Sequence, residues 1–204
     1  MVLRYQVMLI VVAGTGRLYV DGDSLDGMAP LVFTIADVFG PAECEAAIAR
    51  AEQIGFEAAP ITTGTGFVMR PEVRNNDRAM FDDVELAAEL FGRIRDMLPR
   101  RMCGRRPVGV NERFRCYRYI PGQQFKAHYD GAFQRSASER SELTFMIYLN
   151  DGFTGGQTVF HDFDVDVAPR RGMALLFQHE VLHEGRAVES GVKYVLRSDV
   201  MYGA

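Results

Sequence analysis

The sequence predicts a mainly β domain with α-helices on its N-terminal side. From Val108 onward, short β-branched and aromatic runs alternate with Gly, Asp and Asn turns and no helical pattern intervenes, which is typical of a sandwich or barrel. Before that point, two stretches carry apolar residues at three- and four-residue steps, the period of a helix packed on a core. The 204 residues, 48% hydrophobic and 25% charged, fit one globular domain. We therefore predict a single domain over 1–204, with a helical front and loop over about 31–105 and a β core over 106–204.

The front half contains one predicted strand and two predicted helices. The strand is Leu31–Ala36, an LVFTIA run. The first helix begins at Pro41, where a first turn tolerates proline, and is closed by Gly55. The second helix covers about Asp83–Leu98 and stops before Pro99. Between the helices, Thr62–Arg78 has glycines and adjacent asparagines without periodicity, which predicts a surface loop.

The back half contains seven predicted strands. They are Phe114–Ile120, Gln124–His128, Leu143–Leu149, Thr158–Phe160, Asp164–Val167, Met173–Gln178 and Val192–Met201.

The net charge and the cysteine content limit the expected binding partners and cellular compartment. The net charge of −4 gives no general attraction to nucleic acid or to an anionic membrane. Cys44, Cys103 and Cys116 form no CxxC pair, which favours thiols in a reducing compartment. The apolar run Val7–Ala13 is too short to span a bilayer, and the glycines after it resemble a strand and turn more than a cleavage site. We expect a soluble cytoplasmic protein, monomer or homodimer, without nucleic-acid or membrane partners.

A first candidate site is a metal centre. His128 and Asp130 lie two residues apart, so on a strand they face the same side. His183 would complete a two-histidine, one-carboxylate face that leaves coordination positions open, an arrangement suited to non-haem Fe(II) and O₂. Taken alone, a histidine on a strand is more often a hydrogen-bonded structural group than a metal ligand.

A competing motif overlaps the distal histidine. His179-Glu180-Val181-Leu182-His183 is a literal HExxH match, which on a helix would bind zinc with Glu180 as general base. Against this reading, Arg186 replaces the glycine of the extended motif, and Gly185 would end the helix. His179 is otherwise a polar residue at the lip of a strand.

A lysine follows the distal histidine at a fixed interval. Lys193 comes ten residues after His183, within a Tyr/Val/Leu strand, and Arg197 follows on the same face. Such a lysine either lies on an exposed face or pairs with an anion in a pocket.

Together His128, Asp130, His183 and Lys193 resemble the Fe(II)- and 2-oxoglutarate-dependent oxygenases, in their prolyl 4-hydroxylase-like branch. The resemblance extends over about Leu31 to Tyr202. The flanking segments that carry it are Tyr119–Phe125 (a Tyr-x-x-Gly-x-x-aromatic lead-in), Leu143–Asn150, Gly155–Phe160 (GGxTxF) and Gly172–Phe177.

The resemblance implies a double-stranded β-helix, a cupin-like jelly-roll barrel, with Fe(II) on His128, Asp130 and His183. It implies that 2-oxoglutarate chelates the iron and ends at Lys193, that O₂ takes the remaining position, and that ascorbate serves as reductant. Tyr148 is expected to donate to the distal carboxylate or to pack in the core, and His179 falls outside the metal. The implied reaction is C–H hydroxylation with release of succinate and CO₂.

Other assignments stay open. Tyr119 and Arg197 are candidate cosubstrate residues, with packing and a cross-strand ion pair as the alternatives. The candidate substrate is a peptidyl proline, an amino acid or a small molecule, and arginines would suit an acidic or carboxylate-bearing one. A non-catalytic metal-binding jelly roll and an HExxH zinc peptidase are the competing functions. The candidate substrate contacts, each of which could instead belong to a solvated loop, are Arg74, Asn76, Arg78, Gln134, Arg135 and Arg140.

Overall fold

The computed structural model describes residues 32–64 and 66–204 and contains two helices. Helix α1 is Pro41–Ile54, and α2 is Val84–Ile94, continued by a 3₁₀ turn over Arg95–Met97. The strands are β1 Val32–Ile35, β2 Glu57–Ala58, β3 Ile61–Thr63, β4 Gly66–Val68, β5 Asp77–Asp82, β6 Arg106–Val110, β7 Arg113–Tyr119, β8 Phe125–His128, β9 Glu139–Tyr148, β10 Thr154–Gly155, β11 Thr158–Phe160, β12 Val165–Val167, β13 Ala174–Gln178, β14 His183–Gly185, β15 Val188–Ser190 and β16 Lys193–Gly203.

The strands form one large and one small antiparallel sheet. The large sheet has the order β1-β13-β9-β16-β7-β5-β2, with β6 also paired to β16. The small sheet has the order β12-β11-β14-β8, and β10–β15 and β3–β4 form separate pairs. This arrangement confirms a mainly β fold with helices on the N-terminal side.

The large sheet carries a hydrophobic core on each face. Its outer face packs on the helices through side chains such as Leu90 and Ile94 of α2 and Ile147 of β9. Its inner face packs on the small sheet, where Phe160 of β11 meets Phe177 of β13 edge to face at a centroid distance of 5.2 Å. Because strand side chains alternate between faces, the inner face presents its residues to the space between the sheets.

The predicted helices and strands are confirmed to within a few residues, but the predicted loop over 62–78 is wrong in part. It contains the second strand of the β3–β4 hairpin and the start of β5. Strand β5 begins and ends with acidic residues that pair with arginines of β7: Asp77 faces Arg118 and Asp82 faces Arg113, both in register and in contact. Strands β6, β10, β14 and β15, which are short or rich in Gly and charge, were not predicted.

Several expectations concern other parts of the chain. The run Val7–Ala13 and Leu31 of the first predicted strand lie outside the described residues. Cys44 and Cys116 are buried free thiols, as expected. Across 32–64 and 66–204, no helix combines the length and apolar character needed to cross a bilayer.

Gly172 connects the helical front to the large sheet. Its N–H donates to the Tyr148 carbonyl (2.8 Å) and its own carbonyl accepts from Val38 (2.9 Å). Its φ is +80°, and a Cβ there would lie 2.1 Å from the Phe39 carbonyl oxygen. Only glycine fits this position.

Replacing Gly172 by alanine should therefore lower the free energy of unfolding by about 3 kcal/mol or more, through backbone strain together with a steric clash. Gly104→Ala is the matched control, because Gly104 also has a positive φ (+75°) but open space around its Cβ position. It should cost only the strain, about 1 kcal/mol. Urea denaturation measures both, and equal losses would contradict the role assigned to the Phe39 contact.

Candidate metal centre

The pairing of β8 with β14 brings the three predicted metal ligands together. His183 and His128 are direct register partners in the small sheet, and Asp130 follows two residues after His128. The Asp130 carboxylate oxygens lie 3.8 Å from His128 Nε2 and 3.6 Å from His183 Nε2. One ligand atom from each residue lies within 4.8 Å of the others, a spacing that could hold a metal ion.

Both imidazoles present the same nitrogen to the carboxylate. His128 Nδ1 lies 2.7 Å from the Lys126 carbonyl, and His183 Nδ1 lies 2.9 Å from the Val181 carbonyl. Since a carbonyl only accepts, each Nδ1 carries the proton and each Nε2 keeps its lone pair. Burial, and for His128 also the neighbouring His183, lowers the imidazole pKa values, that of His128 to about 3. Neutral imidazole is the form that ligates metals.

Asp130 keeps its negative charge although it is buried. Burial alone would raise its pKa, but Arg197 and the two imidazoles hold the pKa well below its usual range. Arg197 Nη2 lies 3.0 Å from Oδ2, and the Thr144 hydroxyl donates to the same oxygen at 2.6 Å. Arg197 thus acts on the carboxylate of the site, not on Lys193.

His179 supports the Asp130 carboxylate through Thr144. This contact corrects the prediction that His179 lies at the lip of a strand. It is buried, with Nδ1 3.0 Å from Thr144 Oγ1 and Nε2 2.9 Å from Ser141 Oγ. Thr144 gives its only hydrogen to Asp130, so His179 Nδ1 must donate to Thr144, and Nε2 must accept from Ser141. Ser141 in turn accepts from the Phe133 N–H at 2.8 Å.

The same contacts rule out the HExxH geometry. Residues 179–182 form a turn rather than a helix, and Glu180 is exposed. Both ring nitrogens of His179 are already occupied by hydroxyl groups, so they are not available to a zinc ion in this arrangement.

Lys193 is buried and lines a small cavity that the three candidate metal ligands also line. The cavity holds about 50 Å³ and is also lined by Tyr119, Thr158 and Val195. Lys193 Nζ donates to the Gly156 carbonyl at 2.5 Å and lies 5.2 Å from the Tyr119 ring centroid. In the described part of the chain no carboxylate pairs with it, and burial lowers its pKa to about 7. The pocket alternative for Lys193 is therefore the one that the structure supports.

Tyr148 lies beside this cavity without lining it. Its hydroxyl is 2.7 Å from Thr158 Oγ1, and its ring centroid is 5.5 Å from Lys193 Nζ. Its hydroxyl is thus satisfied within the protein, which fits the packing alternative.

A larger groove, of about 570 Å³, is lined by some of the predicted substrate contacts. Arg74 and Arg78 line it, whereas Asn76 is fully buried behind them and accepts from Arg74 Nε. Gln134, Arg135 and Arg140, predicted substrate contacts after Asp130, are not among the described residues that line this groove, and their contact with substrate stays a prediction. Their partners are the backbone of Ser136 and Glu139 for Gln134, the carboxylates of Glu112 and Glu139 for Arg135, and Glu142 for Arg140.

Several groove residues were missed by the sequence analysis. Tyr129 and Phe133 contribute aromatic walls, and Arg113, Arg115 and Tyr117 come from β7. The signal was present in β7, because Arg113, Arg115, Tyr117 and Tyr119 alternate along the strand and so share one face.

Removing the His179 ring should destabilise the protein, because His179→Ala leaves a cavity and two buried hydroxyls with a lost partner. We expect a loss of about 2–4 kcal/mol in the free energy of unfolding. His161→Ala is the control: His161 is exposed and pairs with Glu184 at the surface, so it should cost about 1 kcal/mol at most. Equal losses in urea titrations would contradict the buried network.

Lys193 should also give the metal-free protein a characteristic pH dependence. Its pKa is about 7 in the folded state against an ordinary 10.5, so between these values the unfolded chain binds more protons. The free energy of unfolding should then rise with pH across this window, by about 1.4 kcal/mol per unit from this group. Lys193→Met should be more stable than wild type at about pH 6, and its advantage should shrink by about pH 9.5. An advantage independent of pH would contradict the buried, unpaired lysine.

Comparisons with known proteins support the family resemblance over part of the chain. Residues 114–198 match the model of the 2OG-Fe(II) oxygenase superfamily. A stretch of 107 residues is 33% identical to an Acanthamoeba polyphaga mimivirus protein named "Putative prolyl 4-hydroxylase", and it covers 44% of each chain. The chain thus matches less than half the length of that relative.

Solved structures share the fold. The viral collagen prolyl hydroxylase of Paramecium Bursaria Chlorella virus-1, in its 2OG complex, superimposes with a TM-score of 0.61 at 22% identity, over 89% of this chain and 100% of that one. A Pseudomonas putida prolyl-4-hydroxylase gives 0.59 at 20% identity, over 83% and 91%. The family-model match over residues 114–198, together with the mimivirus relative, confirms the resemblance to the 2OG-Fe(II) oxygenases in their prolyl 4-hydroxylase-like branch, and the solved structures confirm the similarity of fold.

Proposed function

We propose that this protein is an Fe(II)- and 2-oxoglutarate-dependent dioxygenase that hydroxylates an unactivated C–H bond of a peptidyl proline, an amino acid or a small molecule. The observation that carries the proposal is a buried lysine to which no described residue offers a carboxylate, in the same cavity as a two-histidine, one-carboxylate triad. The triad suits non-haem Fe(II), and the lysine suits the distal carboxylate of 2-oxoglutarate.

The residues present fit this metal. His128 and His183 offer Nε2 lone pairs, and Asp130 offers an ionised carboxylate already held by Arg197 and Thr144. When bound, Fe(II) with 2-oxoglutarate and O₂ supplies the oxidant for C–H hydroxylation, with release of succinate and CO₂. Three protein ligands leave coordination positions open for the cosubstrate.

The chain's own residues hold and shield the reactants. Lys193, when protonated, supplies a point charge for the distal carboxylate, and Tyr119 and Thr158 line the space beside it. Phe125 stacks on His128 at a centroid distance of 3.4 Å, and Phe177 covers His183 at 4.4 Å. These rings exclude water from the imidazoles, which strengthens electrostatic interactions within the site.

The proposal also covers the fold, the reductant, the cellular location and the binding partners. We propose that the two facing sheets are the two halves of a double-stranded β-helix within one domain over 1–204, although strand pairing among the described residues does not close them into a barrel. Ascorbate as reductant, a cytoplasmic location and the absence of nucleic-acid and membrane partners belong to the same proposal. A non-catalytic metal-binding jelly roll is less favoured, because it would not require the costly burial of Lys193.

Succinate formation from 2-oxoglutarate, under air with Fe(II) and ascorbate, tests the reaction without knowledge of the prime substrate. Asp130→Ala removes the only carboxylate of the triad and should lower the rate at least about 100-fold. Glu180→Gln, at an exposed position of the HExxH match, should stay within about twofold of wild type. Loss of turnover only in Glu180→Gln would contradict the assignment.

The role of Lys193 has its own test. Lys193→Met should weaken 2-oxoglutarate binding at least about 100-fold, because a buried carboxylate loses its charged partner. Lys126→Met is the matched control, since Lys126 is the other lysine of the chain and is exposed. Calorimetric titration of the anaerobic Mn(II)-loaded protein measures both affinities, and equal affinity in the two variants would refute the lysine's role.

A further inference from the structure

The metal centre forms a wall between two cavities, and each cavity contains a buried cation. The small cavity and the groove share His128, Asp130, Tyr117, Phe125 and Arg197. Lys193 lines only the small cavity, and Arg74 lines only the groove. The proposed function uses Lys193 and gives no role to Arg74.

Arg74 is a buried guanidinium that no carboxylate of the described chain neutralises. It is 6% exposed. Its Nε donates to Asn76 Oδ1 at 2.8 Å and its Nη1 reaches the Pro60 carbonyl at 3.5 Å. Its Nη2 is buried without a hydrogen-bond partner. An unneutralised buried charge is costly unless something binds to it.

The other arginines of the groove do have acidic partners. Arg78 pairs with Glu57 and Arg113 with Asp82, each through the side chain. Arg197 pairs with Asp130, and Arg115 lies 3.8 Å from Asp199. Among the described groove residues, Arg74 is therefore the cation left for a ligand.

The surroundings of Arg74 fit an anion with an apolar body. Its guanidinium carbon lies 4.4 Å from the ring centroids of both Tyr117 and Phe125. Exposed aromatic side chains stand around the groove, namely Phe67 at 73%, Tyr129 at 62% and Phe133 at 44%. Although burial raises the pKa of Tyr117, the charges of Arg74, Arg197 and Arg115 outweigh it and lower that pKa to about 8. This part of the groove thus favours negative charge.

Arg74 is also close enough to the metal ligands to anchor a substrate. It stacks on Phe125 at 4.4 Å, and Phe125 stacks on His128 at 3.4 Å. The guanidinium carbon and the His128 ring centre are therefore at most about 8 Å apart, the sum of these distances. A group bound to Arg74 would hold a carbon a few bonds away beside the metal.

We propose that the prime substrate carries a carboxylate that binds Arg74 and an apolar or aromatic portion that packs on the groove walls. This inference rests on the proposed function and specifies its substrate class. The carboxylate belongs either to a free organic acid or to an acidic residue of a peptide, and the guanidinium recognises both in the same way.

Binding of matched probes tests the proposal. The free-acid arm compares 3-phenylpropionate with 3-phenylpropionamide, and the peptide arm compares acetyl-Phe-Asp-Phe-amide with its Asn analogue. Each probe is titrated by calorimetry into the anaerobic protein loaded with Mn(II) and 2-oxoglutarate, and into the metal-free protein. In at least one arm, the carboxylate should bind about tenfold more tightly than its neutral partner, and the tighter arm identifies the source.

Variants assign that preference to one residue. Arg74→Gln should abolish it, whereas Arg106→Gln, the same change at an exposed position outside the groove, should retain it. Arg74→Lys keeps the charge without the planar fork and should retain a reduced preference, which gives a test if the Gln variant does not fold. Mn(II)-induced broadening of the probe's proton resonances should show that the carboxylate probe lies beside the metal.

The outcomes separate this inference from the proposed function. No carboxylate preference in either arm, or a preference that survives Arg74→Gln, overturns the inference. Loss of 2-oxoglutarate binding in Arg74→Gln also overturns it, because Arg74 would then serve the cosubstrate. If wild type binds neither Mn(II) nor 2-oxoglutarate, the proposed function fails, while the titrations of metal-free protein still decide whether Arg74 binds carboxylates.

Discussion

The structure between the two sheets depends on keeping the Asp130 carboxylate ionised in a buried position. Arg197 from β16 supplies the opposite charge, and Thr144 from β9 supplies a hydrogen bond, so both neighbouring strands of the large sheet hold this group. Asp130 itself follows β8 of the small sheet, and its N–H donates to the His179 carbonyl. One carboxylate therefore links the two sheets across the site. The charged carboxylate and the two neutral, correctly oriented imidazoles together form a donor set that suits a metal ion.

The hydrogen-bond chain behind Asp130 connects the candidate metal ligands to the groove. It runs from the Phe133 N–H through Ser141, His179 and Thr144 to the carboxylate. Once Asp130 is ionised, each hydroxyl can donate its hydrogen to only one of its partners. The donor and acceptor roles along this series of hydrogen bonds are therefore fixed. Phe133 is a wall of the groove. A change in the position of this wall would consequently alter the support of the carboxylate.

The sequence was sufficient for the ligand triad but not for the groove. The triad was predictable because period-two alternation places His128 and Asp130 on one face, and a family spacing adds His183 and Lys193. The burial of Lys193 and His179 was not predictable from local pattern, since an isolated lysine or histidine in a strand has no signal for its partners. Arg74 was expected in an exposed loop, yet the segment beside it bonds to the edge of β8 through Val73 and Asn75, a long-range pairing that the loop-like composition conceals.

Two buried cations that no described carboxylate neutralises would make such a site selective for its proposed ligands. Arg197 and Asp130 compensate each other, so Lys193 and Arg74 leave a surplus of buried positive charge on the two sides of a shared wall. A bound divalent metal would increase that surplus, and anions arriving in either cavity would reduce it. In each cavity, an anionic ligand would offset the desolvation cost of the buried cation. A neutral ligand of the same shape would leave that cost in place. If both proposals hold, the stability given up in the empty state would be the source of discrimination between charged and neutral ligands.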